Sequence, residues 1–301
     1  VMRVCYCDGY FVPLPDKHPF PMGKFPALQQ ILLREGLLKS VDIYEPSEAS
    51  WHDLRLVHSE DYLQKLAGGS LDRREERRLG LPWSAALVTR SRLAVGGTLL
   101  AARMALTDGI AANLAGGTHH AFPDYGEGFC VLNDIAVSIA VLKSEGMVER
   151  ALVVDLDVHQ GNGTAACCAA DESVYTFSMH GEKNFPFVKE RSSCDVGLAD
   201  GLHDAEYLQV LSEKLPEVLD EARADIVFYL AGVDLVCGDR YGRLNLSRAG
   251  LRARDSMVLK QVEATGAALV LLLAGGYAPT PEKTADLHAE VHRAAREIYG
   301  K

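Results

Sequence analysis

The sequence has 301 residues, 48% hydrophobic and 24% charged, proportions that exclude a disordered or fibrous chain. Its 41 acidic and 31 basic residues give a formal charge of −10, which argues against general nucleic-acid binding, since that needs a basic footprint. The longest uncharged apolar run, near Ala267–Gly276, is about half the ~18 residues of a membrane helix. No basic segment followed by an apolar one marks a signal peptide, so the expectation is a cytoplasmic protein without membrane contact.

Along the chain, the first buried strand is predicted at Arg3–Cys7. The run Asp72–Arg78 (DRREERR) reads as a solvated loop or helix end. A helix over Ser84–Leu106 leads to a strand at Ile110–Ala115, and a helix over Val131–Met147 to strands at Ala151–Leu156 and Val174–Ser178. Then come a helix over Glu206–Ala222, a strand at Ile226–Ala231, a helix over Ser247–Ala264, a strand at Ala268–Ala274 and a helix over Pro281–Tyr299. Ser247 suits a helix cap and Pro281 a first turn. The strands are short and lack polar alternation, which suits strands covered on both faces. Strand and helix alternate with no repeat or composition break. This predicts one doubly wound α/β domain over residues 1–301, with a mostly parallel sheet flanked by helices. The seven cysteines are odd in number, sparse and without a C-x-x-C pair. That points away from a disulfide framework or cysteine zinc site and toward buried thiols in a reducing compartment.

Four strands run straight into polar or glycine-rich clusters. These are Gly116-Gly-Thr-His119-His120, Asp155-Leu-Asp157-Val-His159-Gln-Gly-Asn162, Gly232-Val-Asp234 and Gly275-Gly-Tyr277. Ligands of an open parallel sheet bind beyond the carboxyl ends of its strands. If the strands are parallel, all four clusters lie on one rim. Asp155, Asp157 and His159 are spaced two apart and project to one side of an extended chain. Burying them is costly unless they bind a cation, the other reading being a hydrogen-bonded structural cluster. Asp157, His159 and Asp234 offer two oxygens and a nitrogen with a position left open, as a catalytic zinc site requires; Fe²⁺ accepts the same donors. Adjacent His119 and His120 can supply a general base and a general acid. Tyr277 can donate to a carbonyl oxygen as it gains charge, or simply pack at a strand end. Gly126-Glu-Gly128-Phe129-Cys130 and Asn184-Phe185-Pro186-Phe187 place rings that either wall a channel or join the core.

The segments AGGTHHAFPDYGEGFCVLND, VVDLDVHQGNG, VYTFSMH, AGVDLVCGDRYGRLNLS and LAGGYAP closely resemble the zinc-dependent histone deacetylase family, of the arginase–deacetylase fold. LGLPWSAALVTRSRLAVGGT and HPFPMGKF resemble its bacterial branch nearest the class IV deacylases; the likeness runs from about Tyr6 to Ala278. The resemblance implies that Asp157, His159 and Asp234 hold zinc. It implies that His120 is the base beside His119, that Tyr277 is catalytic, and that Asp155 orients His119. Asp155, Asp157, His159, Ser178 and Met179 would surround a structural K⁺, partly through backbone carbonyls. Gly128, Phe129, Phe185 and Gly275 would line the substrate tunnel, with the Lys24 region near its foot. There are three departures from the pattern. Asn162 stands behind His120 where some members have Asp. Gly80 or a neighbour stands where some have an Asp that grips a peptide backbone. Ala274 replaces a glycine, a small change from which little effect is expected.

The implied activity is removal of an acyl group, acetyl or longer, from acyl-lysine by attack of zinc-bound water. One rival is an amidohydrolase of acetylated polyamines or other small molecules. A second is a binuclear manganese ureohydrolase, for which Gly161 and Asn162 leave the second metal without ligands. A third is a non-catalytic acyl-lysine binding protein. The sequence assigns no oligomeric state.

Overall fold

The structure is a computed structural model that describes residues 2–300; residues 1 and 301, the ends of the expected domain, lie outside the described residues. Its strands are β1 (Arg3–Cys5), β2 (Ile43–Tyr44), β3 (Ile110–Asn113), β4 (Ala151–Asp155), β5 (Val174–Gly181), β6 (Cys194–Leu198), β7 (Ile226–Leu230) and β8 (Ala268–Leu272). The helices are α1 (Lys24–Arg34), α2 (Trp51–Leu54), α3 (Glu60–Gly68), α4 (Arg73–Leu79), α5 (Ala85–Asp108), α6 (Asp134–Ser144), α7 (Asn162–Cys168), α8 (Asp204–Ala222), α9 (Arg248–Thr265) and α10 (Pro281–Tyr299). The strands form one sheet, in the order β2-β1-β3-β8-β7-β4-β5-β6, and every pairing is parallel.

Alternate residues of each central strand enter opposite apolar layers. Val227 and Tyr229 of β7 face one, and Ile226, Phe228 and Leu230 the other. Both faces need covering, so these strands read as unbroken apolar runs. Phe25 of α1, Leu211 of α8, Val258 of α9 and Ala289 of α10 fill the first layer. Val95 of α5 and Ile135 of α6 fill the second. Each large aliphatic side chain so buried contributes about 1.5–3 kcal/mol. Ser247 Oγ accepts from the Gly250 amide at 3.0 Å, and Pro281 opens α10, both as expected.

The differences from expectation have physical causes. β6 is an edge strand with alternating exposure, so it lacks the apolar run that marks its neighbours. β2 has two residues, too few to show a period. β4 ends at Asp155 and β1 at Cys5, while β5 runs on to Gly181. DRREERR is the body of α4 rather than a loop. Asp72 accepts from the Arg74 and Glu75 amides, and Glu75 accepts from the Asp72 amide. That D-x-x-E capping box was the available signal. The cysteines are all free, but only Cys5, Cys130 and Cys168 are buried; Cys7, Cys167 and Cys194 are half-buried and Cys237 is exposed. Among the described residues no helix is long and apolar enough to cross a membrane.

Candidate metal centre and active site

The chain passes from β3 to β4, runs outward to β6, then returns to fill the gap with β7 and β8. The four strands that carry the polar clusters are therefore adjacent, in the order β3-β8-β7-β4, at the middle of the sheet. Parallel pairing sets all their carboxyl ends on one rim. Asp157 and His159 follow the end of β4, so a turn, not an extended strand, delivers them.

Ligand atoms of Asp157, His159 and Asp234 all lie within 4.8 Å of one another, and all three residues are buried. Asp157 Oδ2 accepts from the Gly275 amide at 2.6 Å, and its Oδ1 lies 2.9 Å from His159 Nδ1. Asp234 Oδ1 accepts from the Val158 amide at 2.9 Å. Asp234 Oδ2 is 3.2 Å from His159 Nδ1 and has no hydrogen bond of its own. A buried carboxylate oxygen without a donor is expensive. Two carboxylates, one with an unpartnered oxygen, and an imidazole, focused on one point, fit a divalent cation. Gly275 belongs here because a Cβ on it would lie 2.0 Å from Asp234 Oδ2. No other group of three potential ligands occurs among the described residues.

The paired histidines receive different backing. His119 Nδ1 lies 2.7 Å from Asp155 Oδ2, whose partner oxygen accepts from the Asp157 amide at 3.1 Å. His120 Nδ1 lies 2.6 Å from Asn162 Oδ1. Burial opposes a charge on His119, but Asp155 and Asp157 overcome it and lift its pKa to about 9. Burial, then the charges of His119 and His159, hold His120 well below the usual imidazole range. Burial also opposes a charge on His159, which Asp157 and Asp234 lift to about 10. The carboxylates thus favour a charge on His119 and His159, but not on His120.

A cleft of about 450 Å³ opens above these groups. His120, His159, Gly128, Phe129, Phe185, Tyr241 and Tyr277 line it, with Arg77, Arg78, Gly80 and Glu127 also in its wall. The Phe185 ring meets His120 edge-on at 5.0 Å, and Tyr277 stands over His159 at 6.4 Å. The Phe129 amide donates to Leu79 O at 2.8 Å, which ties the end of α4 to the cleft wall. A Cβ on Gly80 would lie 2.9 Å from the Phe129 ring, so a side chain at 80 would push on that wall.

Below the centre, Lys24, Arg90, Asp157, Gly275 and Tyr277 border a second cavity of about 40 Å³. Lys24 Nζ donates to Ala274 O at 2.9 Å. Burial lowers its pKa to about 8, against the pull of Asp234 and Asp157. Ala274 has a φ of +56°, in the left-handed region that suits the glycine it replaces. The effect of this departure therefore lies in the backbone, not in side-chain size. Ser178, opposite Asp155 in the β4–β5 register, and Met179 are buried in β5. Arg77, Arg78, Glu127, Arg90 and Tyr241 were not singled out by sequence. Arg90, Glu127 and Tyr241 lie within the segments that resemble the family but were given no role there, and α4, which carries Arg77 and Arg78, meets the β3–α6 loop only through the fold.

Residues 18–294 match the family described as Histone deacetylase domain. An uncharacterized protein of Picosynechococcus sp. is 46% identical over 298 residues, covering 98% of this chain and 99% of that protein. Histone deacetylase 2 of Arabidopsis thaliana is 32% identical over 288 residues, covering 92% of this chain and 74% of that one. A solved HDAC homolog complexed with SAHA superposes with a TM-score of 0.79 at 26% identity, over 100% of this chain and 88% of that one. The HDA15 HD domain gives 0.80 at 21% identity, with the same coverage, a likeness of fold. This chain belongs to the histone deacetylase family.

Proposed function

We propose that the protein is a zinc-dependent deacylase that hydrolyses the amide of an acylated lysine. The observation that carries this reading is the convergence of Asp157, His159 and Asp234 on one buried point beneath a cleft walled by Phe129 and Phe185. A divalent cation held by those three residues polarises a carbonyl and lowers the pKa of water toward ~7. Zn²⁺ suits the donor set, and Fe²⁺ fits it too.

In this reading His120, kept neutral by its surroundings, takes the proton of the attacking water. Tyr277 donates to the carbonyl oxygen as negative charge builds. Asp155 orients His119, and a protonated histidine of the pair gives its proton to the leaving amine. Gly128, Phe129, Phe185 and Gly275 enclose the alkyl stem and acyl group. A K⁺ ion is proposed at Asp155, Asp157, His159, Ser178 and Met179, supported by the buried Asp155–Ser178 pairing. The chain is taken as one catalytic domain working in the cytoplasm, in keeping with its free cysteines.

Arg77 and Arg78 in the cleft wall favour acyl-lysine over an acetylated polyamine, whose remaining ammonium groups they would repel. The test is a panel of acyl-lysine peptides of several acyl lengths and acetylated polyamines, with chelator and with restored Zn²⁺. The expected result is turnover of acyl-lysine that chelator abolishes and Zn²⁺ restores. If no acylated substrate shows such turnover, the non-catalytic binding reading replaces this one.

A further inference from the structure

Asn162 stands between two groups with different hydrogen-bonding needs. Its Oδ1 faces His120 Nδ1 at 2.6 Å, and its Nδ2 donates to Glu127 Oε2 at 3.0 Å. An amide side chain has an accepting end and a donating end, and rotation exchanges them. An ionised carboxylate only accepts. Glu127 therefore claims the NH₂ and turns the amide oxygen toward His120. That oxygen can only accept, so a neutral His120 must carry its proton on Nδ1 and keep the lone pair on Nε2. The reversed amide would set its oxygen against the Glu127 carboxylate, two acceptors facing each other. His119 needs no such arrangement, because the Asp155 carboxylate meets it directly.

We propose that Glu127 is a positioning residue that, through Asn162, fixes His120 in the Nδ1–H tautomer, whose Nε2 is free to take a proton. Asn162 stands where some family members place the charge itself; here the charge lies one side chain further out, in the cleft wall. Glu127 is half-buried, and burial raises its pKa against the Asn162 hydrogen bond and the Arg78 charge. The orienting effect belongs to the ionised carboxylate, which only accepts. The proposal rests on His120 being the base of the deacylase reading.

The test compares Glu127→Ala, Glu127→Gln and the double variant Glu127→Ala/Asn162→Asp. Each is assayed for kcat and KM on an acyl-lysine peptide and for zinc content and Tm. Each is also examined by ¹⁵N-histidine NMR, metal-free and zinc-loaded. Glu127→Ala should lower kcat about 10- to 100-fold, the usual range for a group that orients a functional side chain, with zinc content and Tm held. Glu127→Gln can offer either an oxygen or an NH₂ to Asn162 and so no longer dictates which end faces His120; kcat should fall, but less than in Glu127→Ala, because the accepting arrangement remains open to it. In the double variant the new carboxylate accepts from His120 Nδ1 without needing orientation, so kcat should recover. The His120 signals should report Nδ1–H in the wild type and a shift toward Nε2–H in Glu127→Ala. Full kcat in Glu127→Ala, a loss that Asn162→Asp does not repair, or an unchanged tautomer overturns the proposal. If the wild type cleaves no acyl-lysine, the deacylase reading fails by itself, and the NMR comparison still decides the role of Glu127.

Discussion

At Tyr277 the phenol ring packs edge-on against Tyr241 at 4.9 Å, and its amide donates to Asp239 Oδ2 at 2.7 Å. Burial, then the charges of Asp234 and Asp157, push its pKa well above the ordinary phenol value, so the hydroxyl stays protonated and able to donate. Losing one oxyanion donor typically costs ~10²–10³ in rate. Tyr277→Phe should show a fall of about that size in kcat with unchanged zinc content; wild-type turnover would remove Tyr277 from the proposed mechanism. The neighbouring Ala274 tests the backbone instead. A residue with a Cβ pays about 1–2 kcal/mol in the left-handed region, and glycine returns about 0.4–1 kcal/mol of that through a freer unfolded chain. Ala274→Gly should therefore stabilise the fold by a net ~0.5–1 kcal/mol, read from urea midpoints.

Among the elements, α6 shows how one side chain joins several segments. Asn133 caps it by accepting from the Ala136 amide at 3.0 Å. Its Nδ2 donates to Ala121 O at 3.0 Å and lies 3.2 Å from Thr164 Oγ1 of α7. Ala121 directly follows His120, so the cap of α6 also holds the loop that presents the proposed base. Removing a cap costs about 0.5–2 kcal/mol, and a buried polar partner left unpaired about 1–3 kcal/mol more. Asn133→Ala should lower stability by several kcal/mol by urea unfolding and depress kcat more than KM. A kcat equal to wild type would show that the loop keeps its place without the cap.

Across the whole molecule, His58, between α2 and α3, ties the early part of the chain to the β3–α6 connection at two points. Its Nδ1 lies 3.0 Å from Phe122 O, and its Nε2 accepts from the Asn133 amide at 3.0 Å. The ring is therefore neutral with its proton on Nδ1. Burial lowers its pKa from 6.5 to about 4, despite hydrogen bonds to backbone carbonyls that favour the charge. The unfolded chain then binds more protons than the native one between these values. The stability from a neutral His58 is present above about pH 6.5 and lost as pH falls toward 4. Its size is about 3 kcal/mol at 1.36 kcal/mol per pKa unit. The gap in unfolding free energy between wild type and His58→Gln, from urea titrations, should narrow by about 3 kcal/mol from pH 6.5 to 4. A gap independent of pH would deny His58 this role.

The legibility of this protein divides by the range of the forces involved. The six apolar strands, the caps at Ser247 and Pro281, and the clusters around His119, Asp157, Asp234 and Tyr277 depend on local pattern. Side-chain period, φ preference and the cost of burying a charge act within a few residues, so they could be read directly from the sequence. The two edge strands escaped because half-exposed or two-residue pairings leave no apolar run. The order β3-β8-β7-β4, and with it the meeting of the four clusters, was decided by long-range strand pairing. So were the approach of α4 to Phe129 and the contact of Glu127 with Asn162, between segments that no spacing in the sequence relates; the places of Lys24 and of Asn162 behind His120 were legible only through the family resemblance.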